Sequence, residues 1–184
     1  VYTATGKLVT LLSLQAGRIA VDLAPSAGGS IARFAVDGAD LLRPLAPEAR
    51  AAGTGSTSAA YPLVPYSNRI ANGRLMVAGT AYRLPANAPG FAHPLHGEGW
   101  RSAWRVTGQE AGAATLEHVH DGRTGWPFRY RARQAFRLDA GGLRVAMNLE
   151  NLEDRAVPAG LGLHPFFVRD ADTTLAFRAA AVWL

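Results

Sequence analysis

The strongest constraint on this chain is an alternation of apolar and charged residues over 128–138, interrupted only at Gln134-Ala135. Phe128, Tyr130, Ala132, Phe136 and Leu138 fall on one side, and Arg129, Arg131, Arg133 and Arg137 on the other. A helix would scatter those arginines around its axis, whereas an extended strand puts them all on one face. Residues 139–142, Asp-Ala-Gly-Gly, then turn the chain. Beyond the turn, Leu143, Val145, Met147 and Leu149 alternate with Arg144, Ala146, Asn148 and Glu150. The two segments predict an antiparallel hairpin with one buried and one solvated face.

The same period recurs upstream. Ile19, Val21 and Leu23 alternate with Ala20 and Asp22, and Ala32, Phe34 and Val36 with Arg33 and Ala35. Asp37-Gly38 follows as a hairpin turn. Residues 8–14, after the single lysine Lys7, read as a strand rather than a secretory segment. No long segment carries a 3.6-residue apolar period, and 47–52 supports one helical turn at most. The Ala/Gly/Ser/Thr run 51–60 reads as a loop or lid. Residues 173–184 are strand-like and apolar as far as Val182-Trp183-Leu184, which reads as a chain cut short. The expectation is an all-β antiparallel sandwich or barrel, one domain over 1–184.

Composition removes several functional classes. No cysteine is present, so disulfides and thiolate metal sites are excluded. The net charge of +5 is almost all arginine, spread along the chain instead of clustered with aromatics, which argues against a nucleic-acid surface. Nothing approaches the roughly 18 consecutive apolar residues of a membrane-spanning helix. Neither a serine nucleophile elbow nor a phosphate-binding or dinucleotide glycine motif is found.

Three stretches carry groups suited to chemistry. In 160–167, Gly-Leu-Gly-Leu-His-Pro-Phe-Phe, Pro165 pushes His164 toward an extended conformation and so fixes the direction of its imidazole. That suits a proton donor, and equally a strand-end histidine satisfying a backbone carbonyl. His96 lies in the Gly/Pro-rich stretch His93-Pro-Leu-His96-Gly97, where a loop residue is either functional or inert. In 61–73, two prolines stiffen the segment leading to Asn68-Arg69, an amide beside a guanidinium fork that suits hydroxyl or carboxylate recognition. Trp100, Trp104 and Trp126 are candidates for a flat apolar wall against a sugar ring, or for core. His118 and His120, two apart on an expected strand, share a face; with no third ligand at metal spacing they read as a polar sheet edge.

These stretches together resemble the aldose 1-epimerase (galactose mutarotase) family. Asn68-Arg69-Ile70 with Gly73, Leu95-His96-Gly97, and Gly162-Leu163-His164-Pro165-Phe166-Phe167 occur in the family's order and approximate spacing. Gly28-Gly29-Ser30-Ile31, Asp40-Leu41-Leu42 and the approach from Asn151 to Gly160 fit as well. The resemblance implies an antiparallel β-sandwich of the galactose mutarotase type with an aldose in a groove across one sheet. It implies acid/base ring opening and closure that exchanges α and β anomers. His164 would be the general acid and His96 its catalytic companion. His96 and Arg69 would also orient the sugar hydroxyls, Asn68 would support them, and Trp126 would supply the wall.

The family's general-base glutamate lies well beyond the second histidine motif, whereas this chain ends at Leu184. Glu98, Glu150 and Glu153 do not match that position. The expected fold is therefore incomplete toward the C-terminus, and a non-catalytic sugar-binding module on the same fold stands as the rival reading. The resemblance implies no metal and no organic cofactor. A cytoplasmic location, no membrane or nucleic-acid partner, and self-association through an unpaired sheet edge complete the expectations.

Overall fold

The computed structural model describes residues 9–46 and 57–181. The turn expected at 47–52, most of the run 51–60 and the terminal Val182-Trp183-Leu184 lie outside the described residues. Two antiparallel sheets and a separate hairpin make up the ordered framework, and among the described residues the only helical turns are two short 3-10 segments. The first sheet contains β1 (Leu12–Ala16), β2 (Ile19–Ala24), β3 (Ser30–Val36), β5 (Ala60–Leu63) and β12 (Gly162–Pro165), paired in that order. The short β4 (Ala39–Asp40) pairs with β3. The second sheet runs β11 (Gly142–Asn151), β10 (Tyr130–Asp139), β9 (Ala113–His120) and β8 (Arg105–Glu110), and β6 (Arg74–Val77) with β7 (Thr80–Arg83) forms the hairpin.

The alternation over 128–149 is realised as expected. In β10, Tyr130, Ala132, Phe136 and Leu138 are buried, and Phe128 just before the strand is buried with them. Residues 139–142 close the hairpin, with Asp139 opposite Gly142 and Phe136 opposite Val145. Leu143, Val145, Met147 and Leu149 on β11 are only half-buried, and among the described residues β11 is the outer strand of its sheet. Gln134 is the polar exception on the buried face: it is 1% exposed and donates from Nε2 to the Gly29 carbonyl at 2.9 Å. That bond ties the second sheet to the β2–β3 turn.

The faces of the two sheets meet in one apolar core. Leu14, Val21, Leu23 and Ile31 from the first sheet lie in the same cluster as Leu116, Phe128 and Phe136 from the second. Burying each such side chain stabilises the fold by about 1.5–3 kcal/mol. Asp37 and Gly38 both have positive φ, 50° and 81°, and connect Val36 to Ala39 as the Asp-Gly pair predicts. The first expected strand begins at Leu12, and an irregularity in β3 opposite Asp22/Leu23 puts Ile31, not Ala32, in the main core with Phe34 and Val36, while Ala32 joins a smaller cluster with Ala24 and Ala27.

Two expectations are corrected here. His118 and His120 do not form a polar sheet edge: β9 lies between β8 and β10, and both imidazoles point into the core, 9% and 5% exposed. Residues 173–181 do not form a strand; Leu175 and Phe177 face solvent, 81% and 76% exposed. Among the described residues no helix is long and apolar enough to cross a membrane.

Candidate active site

The pairing of β12 with β5 creates the centre of the site. It sets His164 directly opposite Tyr61. The extended backbone that Pro165 favours is present, so the imidazole leaves the strand on the same side as Phe166 and Tyr61. Its ring stacks on Phe166 at 4.6 Å and on Tyr61 at 5.0 Å between centroids. The Arg43 guanidinium covers Phe166 at 4.3 Å, a cation–π contact at the end of the stack. Burial pushes the Tyr61 phenol up, with Arg43 partly opposing, so Tyr61 is neutral at physiological pH.

His96 arrives from a different part of the chain. Segments 68–70 and 94–97 are laced together: Arg69 bridges Leu95, the His96 N–H donates to the Asn68 carbonyl at 2.9 Å, and the Ile70 N–H donates to Pro94 at 3.1 Å. His96 and Gly97 then both take left-handed backbone, φ 61° and 69°. Glycine is required at 97, because a Cβ there would lie 2.1 Å from the Val64 carbonyl oxygen. This turn brings the His96 ring edge-on to His164, 5.5 Å between centroids, and 6.1 Å from Tyr61.

The electrostatics of the pair follow from this crowding. Burial, then the neighbouring His164 and Arg69, hold His96 below the usual imidazole range, so it is neutral near pH 7. Its Nδ1 is buried and has no hydrogen-bond partner among the described residues. Arg69 lies over Phe91 at 5.6 Å and donates to the Asn68 side-chain oxygen at 3.4 Å, leaving most of its fork uncommitted to these two partners. The result is two histidines, an arginine and an amide at one edge of the first sheet, beside an aromatic stack. Among the described residues no group of three or more His, Asp or Glu side chains is placed to hold a metal ion.

Of the residues singled out in the sequence, His164, His96, Asn68 and Arg69 therefore converge. Trp126 does not provide a sugar wall. It is 3% exposed and packs in the core against Tyr66 at 5.4 Å and Phe128 at 5.6 Å. Trp104 is core as well, whereas Trp100 reaches the site's aromatic edge at 5.7 Å from Tyr61. Tyr61, Phe166 and Arg43 were not foreseen as site residues; Tyr61 is recognisable only once its register with His164 is known.

The comparison with known proteins now decides the family. The sequence pattern of the aldose 1-epimerase family matches residues 10–183. This chain belongs to the aldose 1-epimerase family. It is 32% identical over 176 residues to the uncharacterised protein YphB of Escherichia coli K12, covering 96% of this chain and 58% of YphB. A crystal structure of a provisionally named aldose 1-epimerase from E. coli K12 superposes with a TM-score of 0.77 at 34% identity, covering 86% of this chain and 52% of that one. A galactose mutarotase-like protein from Lactobacillus casei shares the fold, with a TM-score of 0.70 at 18% identity over 89% of this chain and 52% of its own. This aldose 1-epimerase family chain thus spans little more than half the length of these relatives.

Proposed function

We propose that the site acts on a hexose as an aldose 1-epimerase, with His164 as the acid that opens and recloses the ring. The edge-on pairing of His96 with His164 beside Arg69 is the observation that supports this reading. In the opening step the proton of the anomeric hydroxyl passes to a base and the C1–O5 bond breaks. The electron pair goes to the ring oxygen, which takes a proton from His164, giving the open aldehyde. Rotation about C1–C2 and reversal of the same transfers give the other anomer.

An imidazole suits the role because the side chain's ordinary pKa lies near neutral pH, so it can give and retake a proton. Neutral His96 and the Arg69 fork hydrogen-bond the sugar hydroxyls, and Asn68 steadies Arg69. Phe166 and Tyr61 keep the His164 ring from rotating. The base in this reading is the carboxylate that the family resemblance puts C-terminal to the second histidine motif.

Polarimetry of freshly dissolved α-D-galactose and α-D-glucose tests the reading. A longer chain that includes that carboxylate accelerates mutarotation, and His164→Ala in it, shown folded by circular dichroism, loses about 100-fold or more of that acceleration, as befits a general acid. Acceleration that survives in His164→Ala removes His164 from the chemistry. A folded longer chain, base included, that binds sugar without accelerating mutarotation supports the sugar-binding module instead.

A further inference from the structure

Asn87 is among the few polar side chains buried in this chain, 6% exposed, and no step above uses it. Its single amide serves the backbone on both sides of His96. Nδ2 donates to the Leu95 carbonyl at 2.8 Å and to the Gly97 carbonyl at 2.9 Å, while Oδ1 accepts the Leu95 N–H at 2.9 Å. Nδ2 also lies 3.4 Å from the Glu98 carboxylate. The Asn87 carbonyl is in turn held by the Arg101 guanidinium, and the Gly97 carbonyl takes a further bond from the Trp100 indole at 3.0 Å.

The residue bracketed by these bonds carries backbone strain. His96 sits at φ 61°, where a side chain with a Cβ is disfavoured by roughly 1–2 kcal/mol. Its own N–H is held by Asn68, and both of its neighbours are bonded by the Asn87 side chain, Gly97 with additional help from Trp100. Strain of this kind persists only where surrounding bonds over-determine it. From this geometry we infer that Asn87 is the positioning residue of the site, clamping 95–97 in the left-handed turn that aims His96 at His164. It rests on the epimerase reading only in assigning His96 a hold on the sugar.

No aspartate or serine could make the same three bonds. An aspartate keeps the acceptor for the Leu95 N–H but sets anionic oxygen against the Leu95 and Gly97 carbonyls and Glu98. An alanine removes the partner of the Leu95 N–H and of the Leu95 carbonyl in a buried place and leaves the Gly97 carbonyl only the Trp100 indole. In either variant 95–97 relaxes out of the turn, and the His96 ring moves away from His164, Arg69 and Tyr61 toward water.

The test uses the full chain without sugar, following the histidine ring protons by NMR across pH in wild type, Asn87→Asp and Asn87→Ala. His96 titrates below the usual imidazole range in wild type. With the clamp lost, its midpoint rises toward the ordinary value, and the wild-type coupling between the His96 and His164 resonances is lost. The isosteric Asn87→Asp variant keeps the comparison available if Asn87→Ala fails to fold. A folded variant whose His96 titration and ring shifts match wild type overturns the assignment and leaves Asn87 a structural residue. Failure of both variants to fold also overturns it, since the clamp would then serve the fold at large. Because the readout needs neither sugar nor turnover, it is separable from the polarimetric result.

Discussion

Replacing His118 by glutamine should flatten the acid side of the protein's stability profile by an amount that the structure sets. His118 is buried on β9, with its ring 5.5 Å from Trp104 and 5.7 Å from Tyr130, and its Nε2 has no hydrogen-bond partner among the described residues. Burial first, and His120 second, lower its pKa from 6.5 to about 4, against a hydrogen bond to the Ala103 backbone that works the other way. Above pH 6.5 the histidine is neutral in both folded and unfolded chains and contributes no pH dependence. As pH falls from 6.5 to about 4 the unfolded chain takes up a proton that the folded chain refuses, so stability is lost across that window and the loss is complete at its lower end. At about 1.4 kcal/mol per pH unit, that amounts to roughly 3 kcal/mol, a large part of a typical domain's stability. Urea unfolding of wild type and His118→Gln at several pH values from 7.5 to 4 measures it. Other groups titrate too, including His96 in the same direction and carboxylates such as Glu117 and Glu153 at lower pH, so the difference between the two proteins is the quantity to plot. The stability of wild type relative to the variant should fall by roughly 3 kcal/mol between pH 6.5 and 4. Parallel curves would refute the assignment of a buried neutral imidazole to this position.

Two further substitutions probe the core. Phe136→Ala removes a ring that is 1% exposed at the meeting of the two sheets, and should cost about 3–5 kcal/mol in urea unfolding. Gly29→Ala puts a Cβ 2.6 Å from the Trp104 ring at a backbone φ of +60°, and should lower the melting temperature while altering Trp104 fluorescence. Gly17→Ala, at φ +56° with nothing within 4 Å, is the control: it should cost only the left-handed backbone penalty, about 1 kcal/mol. Equal losses at Gly17 and Gly29 would show that contact with Trp104 is not what matters.

The β10–β11 hairpin and the Asp37-Gly38 turn were legible because each is a local fact. A period-two pattern assigns its own faces, and a turn that needs positive φ at two successive residues selects Asp-Gly directly. Pro165 likewise acts on its immediate neighbour, so the extended His164 could be read from its flanking residues. His118 and His120 show where such reading ends. Alternation put them on one face but could not say which, since that depends on what packs over the sheet, here Trp104 and Tyr130 around His118 and Tyr130 against His120. Trp126 failed for a related reason: a large aromatic suits a wall or a core equally, and only its neighbours Tyr66 and Phe128 decide.

Sequence by itself therefore determined the all-β character and the main hairpin, and it singled out His164, His96, Asn68 and Arg69 as candidates. Each is carried by near-neighbour spacing or by motifs that remain visible in one dimension. Tertiary structure alone decided what those residues face. The β5–β12 register puts Tyr61 on His164, the close approach of Val64 to Gly97 turns His96 toward it, and Asn87 holds that turn from eight residues upstream. The first two are contacts between segments far apart along the chain, and burial and backbone hydrogen bonding select them only when the sheets have come together.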